Sequence, residues 1–147
     1  MDSFSFKTVE EVVFSKGAAL DLSGHCLRLG MPRPLFVTDP GLVQIGLVSP
    51  VFEKLESVKL EPQLFDQVKE DPPEETVCDG LEFARKTGVN GVIGFGGGSS
   101  MDVAKVIAVL FKRSQNLIID VTSDFRPTRL TGLGKRFLDP YLIFNAT

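Results

Sequence analysis

The sequence predicts an α/β fold built on a mainly parallel sheet with helices on both faces. Three observations carry that expectation. Short apolar, β-branched runs alternate with stretches whose apolar residues recur at helical spacing. The segments joining successive strands are too long for hairpins, so the strands run parallel with helical crossovers. Residues 89–105 read as a strand, a glycine turn at Gly96, Gly97 and Gly98, and a helix.

Taken in order, Val12, Val13 and Phe14 make a short strand, and Ser15, Lys16 and Gly17 a turn. A helix is expected over 18–29, from the spacing of Ala19, Leu20, Leu22, Cys26, Leu27 and Leu29, with Gly30 as its stop. Leu35 to Thr38 is an apolar strand ending at Asp39-Pro40-Gly41, which puts the Asp39 carboxylate at a strand's carboxyl end. Residues 42–55 suit a helix that Pro50 must break or kink. A third strand is expected over 58–65, weakened by Pro62, before a polar loop over 66–73. Glu74 to Lys86 is a helix with acids in its first turns, bases at its end and Gly88 as its stop. The helix from Ser99 is apolar on most sides until Lys112 and Arg113, as a deeply buried helix is. Leu117 to Asp120 suits another strand, Thr122 to Lys135 is polar and basic without periodicity, and 137–144 is a short apolar piece interrupted by Pro140. The division that follows is an α/β domain over 1–116 and an irregular tail over 117–147.

Composition narrows the function. The 147 residues are 43% hydrophobic and 24% charged, enough for one core without a metal or disulfide. A net charge of -3 provides no basic surplus, which argues against nucleic acid or an anionic membrane as the main partner and favours a small molecule. Cys26 and Cys78 form no CxxC pair, so both read as reduced packing thiols. The expected location is therefore the cytoplasm, or an organelle such as the mitochondrion if a targeting segment lies upstream. No stretch has the length of a membrane span.

The glycine turn is the main chemical feature. A helix start behind glycines offers unpaired N–H groups and the positive end of the helix dipole, which suits a phosphate. It is not a P-loop, because no Gly-Lys-Ser/Thr follows. It also departs from the dinucleotide fingerprint, since Gly94 to Ser99 gives G-x-G-x-x-S. The competing reading is a tight turn closed by a capping box, Ser99 with Asp102. Asp39 suits a ribose of NAD, where its charge would repel the 2′-phosphate of NADP; it also suits a plain turn before Pro40. Asp120 is the acid a standard Rossmann reading would take instead. Lys105 either approaches a pyrophosphate or extends outward into solvent. His25 is the only histidine, so no catalytic triad or multi-histidine metal site can form within this sequence.

The run from Val92 to Lys105 resembles the GGGSxxDxAK signature of iron-containing (group III) alcohol dehydrogenases. Phe14 to Gly17, Val37-Thr38-Asp39, Gly46, Phe65-Asp66, Pro72 and Gly80 accompany it in the family's order. The resemblance implies the Rossmann-like amino-terminal domain of the dehydroquinate synthase-like fold. It implies NAD binding by Asp39, Gly96, Gly97, Gly98, Ser99, Ser100 and Asp102, and hydride transfer between an alcohol or aldehyde and the nicotinamide. Asp71 stands where the family often has Asn before Pro. The family's iron or zinc is held by one Asp and three His of a helical domain that this sequence does not supply. The expectation is a cofactor-binding part, inactive alone. The alternative is a non-catalytic truncated or spliced fragment acting as an interaction or regulatory module, which forms homo-oligomers through the surface the helical domain would cover.

Overall fold

The computed structural model describes residue 13, residues 16–114 and residues 141–145. The strand expected at 12–14 lies outside these residues except for Val13, which is exposed and in no strand. The strand expected at 117–120, with Asp120, also lies outside them.

Gly17, at φ 81°, leads into a 3-10 turn, Ala18–Asp21, which continues as α1, Leu22–Arg28. Leu22 and Cys26, one turn apart, are buried with no exposed surface. Burial pushes the Cys26 thiol up to about 11, so it stays protonated and inert at neutral pH, in line with a packing role, whereas Cys78 is exposed and does not take the packing role expected of it. Strand β1, Pro34–Val37, is followed two residues on by Asp39, which caps α2, Pro40–Gln44.

The helix expected over 42–55 is two helices, α2 and α3, Ser49–Ser57. The break falls at Gly46, at φ 77°, rather than at Pro50. Pro50 sits in the first turn of α3, where no N–H is required of it. The strand expected from Val58 begins only at Gln63, as β2, Gln63–Phe65. The residues before it close α3: Lys59 adopts φ 65°, its N–H donates to Glu56 at 2.9 Å, and the Leu60 N–H donates to Leu55 at 3.2 Å. That pairing is a Schellman stop made without glycine.

Helix α4, Glu74–Thr87, ends at Gly88 in the left-handed conformation, as its charges and glycine predict. Strand β3, Gly91–Phe95, follows, then α5, Gly98–Ser114. Strand β4, Tyr141–Asn145, falls in the piece read as part of an irregular tail.

The sheet order is β2-β1-β3-β4, with β1 parallel to both β2 and β3, and β4 antiparallel to β3. Alternation along the strands sends side chains to two cores. Leu35, Val37 and Val92 pack with α4 and α5 through Val77, Ala84, Val103, Ala104 and Ile107. Phe36, Ile93 and Phe95 pack on the other face with Leu22, Cys26, Val51 and Leu55. Helices therefore cover both faces of a mainly parallel sheet, as expected.

At the amino ends of the strands, Arg33 and Asn90 are latched together. The Arg33 N–H donates to Asn90 Oδ1 and the Asn90 N–H donates to the Arg33 carbonyl, both at 3.0 Å. Asn90 Nδ2 reaches the Gly30 carbonyl at 3.1 Å, and the Arg33 guanidinium donates to Glu61 Oε2 and the Thr87 carbonyl.

Thr38, just past β1, has no exposed surface, and its hydroxyl has no hydrogen-bond partner among the described residues. Thr38→Val removes that desolvated hydroxyl and is expected to raise stability by about 1 kcal/mol. Urea denaturation reads this as a higher midpoint at unchanged slope; a lower midpoint would mean that the hydroxyl is paired.

Candidate functional site

The chain leaves β1 toward β2 on one side and returns to β3 on the other, so the strand order reverses at β1. Open α/β sheets hold ligands outside the carboxyl ends of their strands at such a point. Asp39 follows β1 and Gly96 follows β3 there, side by side.

Asp39 is partly buried and extended, at φ −102° and ψ 155°, as an N-cap is. Its Oδ1 accepts from the Leu42 N–H at 3.0 Å, so the turn role expected of Asp39 is real. Its Oδ2 is directed at Gly96. A Cβ on Gly96 would stand 3.2 Å from Asp39 Oδ2, 3.2 Å from Ser100 Oγ and 2.9 Å from Leu42 Cδ1. Gly96 also holds φ 131°, which side chains rarely adopt. Three side chains, two from capped α2 and one from α5, thus converge on one α-carbon, and only glycine fits there.

Gly97 and Gly98 differ from Gly96. Both are exposed, neither has positive φ, and a Cβ on either would meet nothing within 4 Å. The fold itself does not require glycine at these two positions. The Met101 N–H donates to the Gly97 carbonyl at 3.1 Å, which makes Gly97 the residue capping α5. The capping box of Ser99 with Asp102 is therefore not formed: Ser99 already lies inside the first turn of the helix. Asp102 Oδ1 pairs instead with Lys105 Nζ at 3.3 Å, a bond between half-exposed side chains that also occupies Lys105. Ser99 is half-buried and Ser100 nearly fully buried. The first N–H groups of α5 have no acceptor within the helix and open where Gly97 and Gly98 leave room.

The structure thus gathers Asp39, Gly96 and Ser100 around one point and sets Gly97, Gly98 and Ser99 beside it on the helix start. Asp102 lies one turn further along. Sequence reasoning misses Leu42, whose signal is its place three residues after a capping Asp. It also misses a shallow depression beside Pro40, lined by Asp66, Lys69, Glu75, Thr76 and Asp79. Asp71, in the adjoining loop, holds φ 47°.

Among the described residues, no group of three or more His, Cys, Asp or Glu is placed to hold a metal ion. His25 is partly buried on α1, with its Nδ1 2.8 Å from Arg28 Nη2. The described residues therefore do not fit a metal centre. None of their helices is long and apolar enough to cross a membrane.

A family model described as iron-containing alcohol dehydrogenase matches residues 10–135, reaching into the stretch over 117–147 that reads as an irregular tail. Choline dehydrogenase of Bacillus subtilis (strain 168) is 44% identical over 93 residues, covering 63% of this chain and 23% of that protein. The 4-hydroxybutyrate dehydrogenase of Cupriavidus necator is 34% identical over 115 residues, covering 78% of this chain and 30% of that protein. The crystal structure of NADH-dependent butanol dehydrogenase A from Thermotoga maritima superposes with a TM-score of 0.68 at 29% identity, covering 74% of this chain and 27% of that one. The chain spans 23% to 30% of the length of these three proteins.

Proposed function

Since this chain belongs to the iron-containing alcohol dehydrogenase family, we propose that it forms the NAD(H)-binding part of a dehydrogenase that transfers hydride between a small alcohol or aldehyde and nicotinamide. The observation that carries this reading is the contrast within the glycine turn. Gly96 is glycine because the fold fills the space around it, whereas Gly97 and Gly98 face open space and are glycine without a packing reason. Bare backbone at a helix start is what a pyrophosphate needs for close approach.

In this reading Gly97, Gly98 and Ser99 receive the pyrophosphate, with Gly96 shaping the turn beneath them. Asp39 Oδ2 accepts from a ribose hydroxyl while Oδ1 keeps its cap. Ser100 lines the floor, and Asp102 orders the helix start through Lys105. The domain division at residue 116 belongs to the same reading. The family's metal would polarise the alcohol oxygen, and no step through it is assigned to residues of this chain. We expect the 147-residue chain to bind NADH without turning over alcohol. Fluorescence or calorimetric titration tests the first claim, and no saturable signal at millimolar NADH overturns it. Metal-dependent ethanol oxidation by this chain overturns the second.

Asp39→Asn keeps a capping oxygen but removes the charge. It is expected to weaken NADH binding by about threefold to tenfold and to strengthen NADPH binding, because the repulsion of a 2′-phosphate is lost. Parallel titrations with the two cofactors check the ratio, and an unchanged ratio removes Asp39 from the ribose site.

The second reading, a non-catalytic interaction module, draws on the exposed Ile45 and Leu47 between α2 and α3, at 69% and 52% exposure. Self-association in sedimentation together with no affinity for NADH would favour it.

A further inference from the structure

On the dinucleotide-binding reading above, we propose that Leu42 is a positioning residue that joins the carboxylate end of the site to its phosphate end. Leu42 contributes twice. Its N–H holds Asp39 Oδ1 at 3.0 Å, and its Cδ1 lies 2.9 Å from where a Cβ on Gly96 would stand. No residue of α2 is fully buried, and Leu42 and Val43 are the members of this helix that pack against the core. The helix is five residues long, too short to hold itself in place. Gly96 can carry no side chain of its own at φ 131°, so the space over its α-carbon is filled from α2 by the Leu42 methyl.

The consequence is mechanical coupling. Asp39 Oδ2 and the Leu42 methyl rest on the same glycine, from a capping residue and from the helix it caps. Truncating Leu42 opens a void over Gly96 beside Asp39, and α2 then settles inward or drifts. Either movement carries the carboxylate away from the place where it meets a ribose while the pyrophosphate stays on α5. Leu42 therefore acts on binding through Asp39, and its effect depends on that carboxylate being present.

A double-mutant cycle on the 147-residue chain, read as NADH dissociation constants, tests this. Leu42→Ala is expected to weaken NADH binding about tenfold in the wild-type background and less than about twofold on top of Asp39→Ala. Leu42→Met, which nearly conserves volume, is expected to stay within about threefold of wild type. Far-ultraviolet circular dichroism and melting confirm that each variant is folded, and Leu42→Met keeps the test open if Leu42→Ala is not. Equal losses in both backgrounds, or no loss in the wild-type background, overturn the positioning role. A tenfold loss in Leu42→Met also overturns it, because bulk over Gly96 would then not be what matters. Failure of the wild-type chain to bind NADH overturns instead the reading on which this inference rests.

Discussion

Replacing Gly97 by valine is expected to abolish NADH binding, a loss of about 100-fold or more, while the circular dichroism spectrum stays that of the wild type. Gly97 is exposed and its Cβ direction is empty, so the free protein accommodates the side chain. The cost to folding is that of a poorer helix cap, about 1 kcal/mol. The cost to binding is much larger, because a branched side chain occupies the space through which a phosphate oxygen must come to about 3 Å from the backbone N–H groups. Calorimetric titration beside a thermal melt separates the two effects. Binding retained within about threefold would make the glycine turn a feature of the fold alone.

Gly94→Val is expected to act in the opposite sense, on the fold first. A Cβ at Gly94 would stand 2.9 Å from the Ala104 Cβ and 3.2 Å from the Met101 α-carbon. Neither neighbour can rotate away, since one is a methyl fixed to the backbone and the other is the backbone itself. Helix α5 must therefore lift off β3, and we expect a loss of about 3 kcal/mol in urea denaturation. Because α5 also carries Gly98 and Ser99, NADH affinity should fall in whatever fraction remains folded. A variant of wild-type stability would show that α5 and β3 have more slack than their spacing implies.

These two glycines mark the boundary of what is legible in the sequence. The run from Gly94 to Ser100 announces a turn at a helix start, and the lack of a P-loop lysine is equally plain. Which of these glycines the packing requires is not legible there, because that depends on Ala104, Leu42 and Asp39, brought in by other elements. The strands of the parallel core are legible because buried strands are apolar runs. The start of β2 is misplaced because Lys59 closes α3 in a conformation usually left to glycine. Pro50 looks like a helix breaker, yet a proline in a first turn is favourable, and only the conformation of Gly46 shows where the break falls. Strand β4 is missed because Pro140 stands directly before it in a stretch with no period, and its pairing with β3 lies beyond local pattern.

The latch between Arg33 and Asn90 bears on the candidate site at the far end of the strands. Those two residues are 57 positions apart, as are Pro34 and Gly91, which pair next, and as are Asp39 and Gly96. A single offset is fixed at one end and read at the other, over about 20 Å of extended chain. If β1 slipped by one residue against β3, Asp39 would face a neighbour of Gly96 and every side chain of the strand would change faces. The register that brings a carboxylate beside a glycine turn is thus held in part by the backbone and amide of an asparagine at the opposite end of the strands.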